Sequence, residues 1–329
     1  MLTAALIFLA SIVTVVLSAG WFLHASEQIG VRFKLPSFVL GVLLVGFGTS
    51  LPELATSLAA ISEGNDNIVI ANIIGSNMAN ILIILGISTF ALGTIRFEKD
   101  LIDLDLPLLF GVTALFAVSM YDGNLSGVDG LLLIIGFAGY VLYTLFYKED
   151  PAYHRGLLGL ISSLARQGKV GRKPQAGAGG SNPIYLGKSF GVLVLSIVLL
   201  GVASKFTVDS LLNIVQELNI QVEALSFVGL AIGTSLPELT VSYKSLKKGK
   251  GDIVIGNIIG SSIFNILLVG GVASLLQSQF IASGLVFWSV AGLMIATLML
   301  VVGGITRRIH VWEGLLYILV YVAIALKLF

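Results

Sequence analysis

The sequence predicts an all-α polytopic membrane protein, with ten transmembrane helices arranged as two inverted five-helix repeats. Three observations carry that prediction. The 329 residues are 56% hydrophobic and only 11% charged, with mean hydropathy +0.99, whereas a soluble domain carries about 25% charged residues. Apolar segments near or above the roughly 20 residues needed to cross a bilayer recur along the chain. Finally, a ten-residue stretch, Val45-Gly-Phe-Gly-Thr-Ser-Leu-Pro-Glu-Leu54, returns as Leu230-Ala-Ile-Gly-Thr-Ser-Leu-Pro-Glu-Leu239.

The apolar segments lie near 2–24, 36–61, 67–93, 104–121 and 126–147, and then near 187–212, 223–246, 252–276, 282–303 and 311–328. The N-terminus lacks a basic region ahead of its apolar run, so it is expected to be a first span and not a cleaved signal. With the N-terminus outside, the inward connections hold seventeen of the nineteen Lys and Arg, among them Arg32, Arg96, Lys148, Lys244, Lys248, Lys250 and Arg307. The outward connections carry Glu63, Asp66, Asp122, Glu217 and Glu223. By the positive-inside rule this places both termini outside an integral membrane protein, expected in a prokaryotic cell membrane.

The domain organisation follows. Residues 1–147 form a first five-helix repeat and 186–329 a second, joined by a basic cytoplasmic loop over 148–185. Within that loop Leu157, Leu158, Ile161 and Leu164 have helical spacing, compatible with a short amphipathic helix on the membrane surface or with a linker carrying a few apolar residues. The stretch from Gly168 to Gly180 reads as a flexible linker.

The repeat extends beyond its motif. An offset of 185 residues takes Glu53 to Glu238, Asn72 to Asn257, Gly75 to Gly260, Ser76 to Ser261 and Asn80 to Asn265. Because each unit has five spans, the second enters the membrane from the opposite side. Inverted repeats of this kind bind their ligand near the midplane, where the two halves meet.

The chemistry sits in the repeated segments. A charge at the bilayer centre costs about 2.5–3.5 kcal/mol on insertion scales, and the chain carries one twice, as Glu53 and Glu238. Pro52 and Pro237 withdraw a helical donor from the carbonyls of Gly48 and Gly233. Freed carbonyls at membrane depth are tolerated where they line a cavity or hold ions. Thr49 and Ser50 lie four and three residues before Glu53, on one side of the helix, and Thr234 and Ser235 repeat this before Glu238. Asn72, Ser76 and Asn80 form a stripe at intervals of four, repeated by Asn257, Ser261 and Asn265.

Two carboxylates with hydroxyl, amide and carbonyl oxygens suit the hard cations Ca²⁺ and Na⁺ and not soft transition metals. The absence of cysteine from the sequence removes disulfides, thiolate metal sites and cysteine nucleophiles. His24, His154 and His310 are too dispersed for a zinc site. A net charge of +1 gives no reason to expect nucleic acid. No Lys or Arg stands near the site to balance an anionic substrate, and no protease dyad or metal-hydrolase motif suggests an enzyme.

The paired Gly-Thr-Ser-Leu-Pro-Glu motifs at 48–53 and 233–238, with their Asn-Ile-Ile-Gly-Ser-x-x-x-Asn segments, resemble the α-repeats of the Ca²⁺/cation antiporter superfamily, closest to its sodium/calcium exchanger branch. The resemblance spans the whole ten-helix plan. It implies a Na⁺/Ca²⁺ antiporter working by alternating access, with membrane lipid as its surroundings and no cofactor beyond the transported ions. It further implies a central Ca²⁺ site built from Glu53, Glu238 and the carbonyls of Thr49 and Thr234. Flanking Na⁺ sites would add Ser50, Ser76, Ser235, Ser261 and the carbonyls of Ala231 and Gly46, with Asn80 and Asn265 at the remaining motif positions. Some relatives, including potassium-dependent ones, carry Asp where Asn265 stands, so potassium independence is expected here. Protons are expected to compete with cations for the two buried carboxylates. The alternatives are an H⁺-driven antiporter for Ca²⁺, or for another divalent cation such as Mn²⁺ or Mg²⁺, on the same fold, and a cation channel.

Overall fold

A computed structural model describes residues 2–33, 35–62, 66–96, 105–146, 183–217, 233–276 and 284–328. The expected loop helix near Leu157–Leu164, the first part of the span expected over 223–246, and Ala231 lie outside the described residues.

The fold is helical. Helix α1 (Leu2–Arg32) is followed by α2 (Ser37–Ser62), and α3 runs from Asp66 to Leu92 in three continuous pieces. Next come α4 (Asp105–Ser119), α5 (Gly127–Phe146) and α6 (Pro183–Glu217). Helix α7 (Leu236–Lys247) leads through a tight turn into α8 (Gly251–Leu276). The described chain closes with α9 (Gly284–Gly304) and α10 (Val311–Leu328). By length and composition, α1, α2, α3, α5, α6 and α8 contain stretches able to cross a membrane, and α4 and α9 contain shorter apolar ones.

Three helices are interrupted where the sequence places its polar residues. Helix α2 passes through a π-helical segment, Leu40–Gly46, and its regular turns break at Ser50 (φ −88°, ψ 4°). Ser235 breaks the chain in the same way just before α7 (φ −85°, ψ 7°). Both breaks stand two residues before a proline, which starts the following helix without needing a donor. Helices α3 and α8 carry π segments at Ala79–Ile84 and Phe264–Val269, which the 185-residue offset superimposes. A π turn adds a residue to the helical ring and turns the following side chains to a new direction, a device frequent at functional sites.

Glycine brings α2 and α8 into backbone contact. A Cβ on Gly41 would lie 2.7 Å from the Ile253 carbonyl, one on Gly256 2.6 Å from that of Phe38, and one on Gly260 2.7 Å from that of Val42. Small residues four apart are the usual means of such close approach between membrane helices.

Apolar packing falls into two bodies. The larger is built from α3, α4, α8 and α9 with parts of α5 and α10. In the smaller, α1 packs along α6, with Leu40 and Val45 of α2, Val241 of α7 and Ile253 of α8 joining their shared face. A two-residue antiparallel pairing, β1 (Ile95–Arg96) with β2 (Arg308–Ile309), ties the end of α3 to the turn between α9 and α10.

Candidate cation site between two broken helices

Glu53 and Glu238 begin the second part of α2 and the first turn of α7, and they are 1% and 0% exposed. The breaks at Ser50 and Ser235 place a hydroxyl and a bent backbone three residues before each carboxylate. Around them Thr49, Ser50, Ser76, Asn80, Thr234, Ser235, Ser261 and Asn265 are all buried, as are Asn72 and Asn257.

The two halves interlock. Ser50 Oγ donates to Glu238 Oε1 at 3.1 Å, so the first motif holds the carboxylate of the second. Ser261 Oγ donates to the Gly46 carbonyl at 3.0 Å, at the end of the π segment in α2. Thr49 Oγ1 lies 3.5 Å from Ser261 Oγ and donates to Asn257 Oδ1 at 3.2 Å. Asn265 Nδ2 donates to Ser76 Oγ at 3.2 Å, joining α8 to α3. The π segment carrying Asn80 packs against α7, and the one carrying Asn265 packs against the second part of α2. Each π segment thus faces the glutamate helix of the other half.

A supporting layer is duplicated bond for bond. Asn72 Nδ2 donates to the Glu53 carbonyl (3.2 Å) and to Ser57 Oγ (3.1 Å). Asn257 Nδ2 donates to the Glu238 carbonyl (3.4 Å) and to Ser242 Oγ (2.8 Å). Their amide oxygens receive hydroxyls from the opposite half: Thr234 to Asn72 at 3.4 Å and Thr49 to Asn257 at 3.2 Å. Each asparagine therefore fixes its own glutamate's backbone and the opposite half's threonine. Ser57 and Ser242 had no place in the sequence reading of the site. The signal that finds them is the offset itself, which pairs 57 with 242, both serine.

The polar atoms left over define the chemistry. Both carboxylate oxygens of Glu53, Glu238 Oε2, Asn80 Oδ1, Asn265 Oδ1 and Ser235 Oγ are buried with no hydrogen-bond partner. A buried carboxylate without a partner costs several kcal/mol. These six oxygens, all on the repeated motifs and their facing stripes, are the donor type that a cation's coordination shell takes; Asn80 Nδ2 is likewise without a partner. All six oxygens are hard donors, as Ca²⁺ and Na⁺ require. Among the described residues no three His, Cys, Asp or Glu side chains converge on a point, so the negative charge of this region comes from the two glutamates.

A buried pair of carboxylates among oxygen donors, set at helix breaks inside a helical membrane fold, is the kind of arrangement a cation-handling membrane transporter uses. The chain belongs to the sodium/calcium exchanger protein family, which matches residues 3–146 and 188–329. It is 31% identical over 276 residues to the inner membrane protein YrbG of Escherichia coli K12, covering 84% of this chain and 81% of that one. It is 29% identical over 349 residues to the sodium/calcium exchanger MaX1 of Methanosarcina acetivorans, covering 98% of both. Among solved structures, the sodium-calcium exchanger NCX_Mj superposes with a TM-score of 0.78 at 28% identity, covering 99% of both chains. Membrane antiport is the family's activity, and the chain shares it.

Proposed function

We propose that this protein exchanges Na⁺ for Ca²⁺ across the membrane by alternating access, without a requirement for K⁺. Ten helices in two inverted five-helix repeats, over 1–147 and 186–329, would carry the exchange, with the 148–185 loop and the basic connections inside and both termini outside. The observation that carries the reading is the pair Glu53 and Glu238, buried together with unsatisfied oxygens and braced by the matched Asn72 and Asn257 layers.

Ca²⁺ would be held by both carboxylates and the carbonyls of Thr49 and Thr234. Na⁺ would use the same carboxylates with Ser50, Ser76, Ser235, Ser261 and the carbonyls of Gly46 and Ala231, while Asn80 and Asn265 supply amide oxygens. Two carboxylates neutralise one Ca²⁺, whereas three Na⁺ would leave one positive charge in excess. Sharing one charged centre makes the two ions mutually exclusive, which is the thermodynamic basis of antiport: each ion shifts the conformational equilibrium only through its differential affinity for the two states.

Radioactive Ca²⁺ uptake into proteoliposomes tests the reading. An outward Na⁺ gradient at clamped pH is expected to drive uptake, and an outward proton gradient without Na⁺ is expected not to. Uptake driven by the proton gradient alone would replace Na⁺ by H⁺ as the counter-ion. Flux that continues with no counter-ion would make the protein a channel.

A further inference from the structure

The offset of 185 residues pairs two interfaces that the structure holds in different states. Helix α1 against α7 corresponds to α6 against the second part of α2. The offset takes Gly20 to Lys205 and Ala59 to Lys244. At the first interface Lys244 reaches over Gly20 and donates from Nζ to the Val16 carbonyl of α1. The glycine makes room for it, since a Cβ there would lie 2.7 Å from that nitrogen. At the second interface a cavity of about 550 Å³ opens instead, lined by Pro52, Thr56, Ala59, Gly201, Lys205 and Thr234 among others. It reaches the two motifs themselves, through Pro52 and Thr234. Among the described residues, one passage is filled and its counterpart is open.

The filled passage carries a clamp at its end. Glu27, near the end of α1, accepts from Lys248 Nζ and pairs with Lys250 Nζ, both at 3.0 Å. The two lysines flank Gly249, whose positive φ of 70° lets the α7–α8 turn present both to one carboxylate. The offset carries Lys248 and Lys250 to Glu63 and Asn65, and Glu27 to Leu212, so the sequence does not repeat the clamp in the other half. Helix α1 is in turn bonded to α6, through Ser189 Oγ to Gln28 Oε1 (2.5 Å) and Thr207 Oγ1 to Ser11 Oγ (2.9 Å). Against the α2, α7 and α8 body this pair makes mainly apolar contact, which lacks directional bonds. Among the described residues, the Glu27 clamp and the Lys244 contact are directional ties at the filled passage.

We propose that Glu27, Lys248 and Lys250 form the latch that holds the α1–α7 passage closed while the α6–α2 passage stands open. This rests on the alternating-access reading above. Breaking the latch favours the opposite state, in which α1 leaves α7 and the 550 Å³ cavity closes.

The cysteine-free sequence allows single reporters: Ala59→Cys in the open cavity and Val241→Cys, packed with α1 and α6 on the latched side. Each is labelled with a membrane-impermeant thiol reagent in reconstituted full-length protein. Glu27→Gln is expected to slow labelling at 59 and speed it at 241 by about two- to fivefold, the range of partly exposed ion pairs. Combining Glu27→Lys with Lys248→Glu and Lys250→Glu is expected to restore the parent rates. Lys248→Gln with Lys250→Gln repeats the shift should Glu27→Gln fold poorly. Unchanged rates, or rates rising together at both reporters, would overturn the latch. Na⁺-driven Ca²⁺ uptake by the parent, measured in the same vesicles, separates the two ideas. Reciprocal labelling without Na⁺-driven uptake supports the latch and sinks the Na⁺/Ca²⁺ reading.

Discussion

Ser50 Oγ donates to Glu238 Oε1 at 3.1 Å, but the equivalent bond from Ser235 to Glu53 is not made. Ser235 Oγ and both Glu53 oxygens are left without partners. Near-identical motifs thus sit in unlike surroundings: Glu238 accepts from the serine of the other half, and Glu53 does not.

That asymmetry predicts unequal serine variants. A hydrogen bond to a charged group contributes about 1.5–3 kcal/mol, so Ser50→Ala should destabilise the ion-free protein and lower its Tm. Ser50→Thr, which keeps the hydroxyl, should lower it less. Ser235→Ala has no such bond to lose in this state and should have the smaller effect. Differential scanning calorimetry of the purified ion-free protein measures all three.

The asparagine layer predicts a matched pair. Asn72→Ala and Asn257→Ala each remove bonds to a glutamate carbonyl, a serine and the opposite threonine. Leaving such buried groups unsatisfied costs about 1–3 kcal/mol each. Both variants should lower exchange at saturating Ca²⁺ and lower Tm by similar amounts. A large effect from one and none from the other would show that the bracing is not shared.

Backbone contact between α2 and α8 predicts a strong glycine effect. Gly260→Ala would bring a Cβ to 2.7 Å from the Val42 carbonyl and 2.8 Å from its Cα, and overpacking of this kind costs about 1–3 kcal/mol. Tm should fall clearly. Gly191→Ala on α6 meets nothing within 4 Å and should leave Tm unchanged or slightly raised, since alanine is the better helix former.

Asn265 predicts the response to K⁺. Its amide donates to Ser76, and an amide adds no charge to the site. Exchange should proceed equally in K⁺ and in choline. Asn265→Asp places a third carboxylate there and removes the donor to Ser76, and should weaken exchange in K⁺-free medium. K⁺ stimulation of the parent would contradict the proposed K⁺ independence.

Much of this was legible in the sequence, because membrane insertion makes charge and proline conspicuous. Glu53 and Glu238 stand out by cost alone, and the 185-residue offset ties each to its stripe of Asn and Ser. Helix ends were less legible. Hydropathy marks where lipid contact stops, near residue 24, but α1 continues to Arg32 because Glu27 and Gln28 turn polar groups toward the α7–α8 turn and α6. The π segments at 79–84 and 264–269 leave no compositional mark, since their residues are ordinary apolar ones surrounding an asparagine. Ser57 and Ser242 resemble routine packing serines until Asn72 and Asn257 are seen to reach them. The clamp at Glu27 joins positions more than 220 apart, beyond any local pattern.

The central claim is that Na⁺ and Ca²⁺ share one centre built on Glu53 and Glu238. Equilibrium binding of radioactive Ca²⁺ to the purified protein, followed as Na⁺ is raised at constant ionic strength and pH, tests it most directly. The account predicts steep displacement by more than one Na⁺ per Ca²⁺, with Ca²⁺ binding lost in both Glu53→Gln and Glu238→Gln proteins that keep the parent's size-exclusion profile. Ca²⁺ binding that is indifferent to Na⁺, or that survives either substitution at parental affinity, would contradict it.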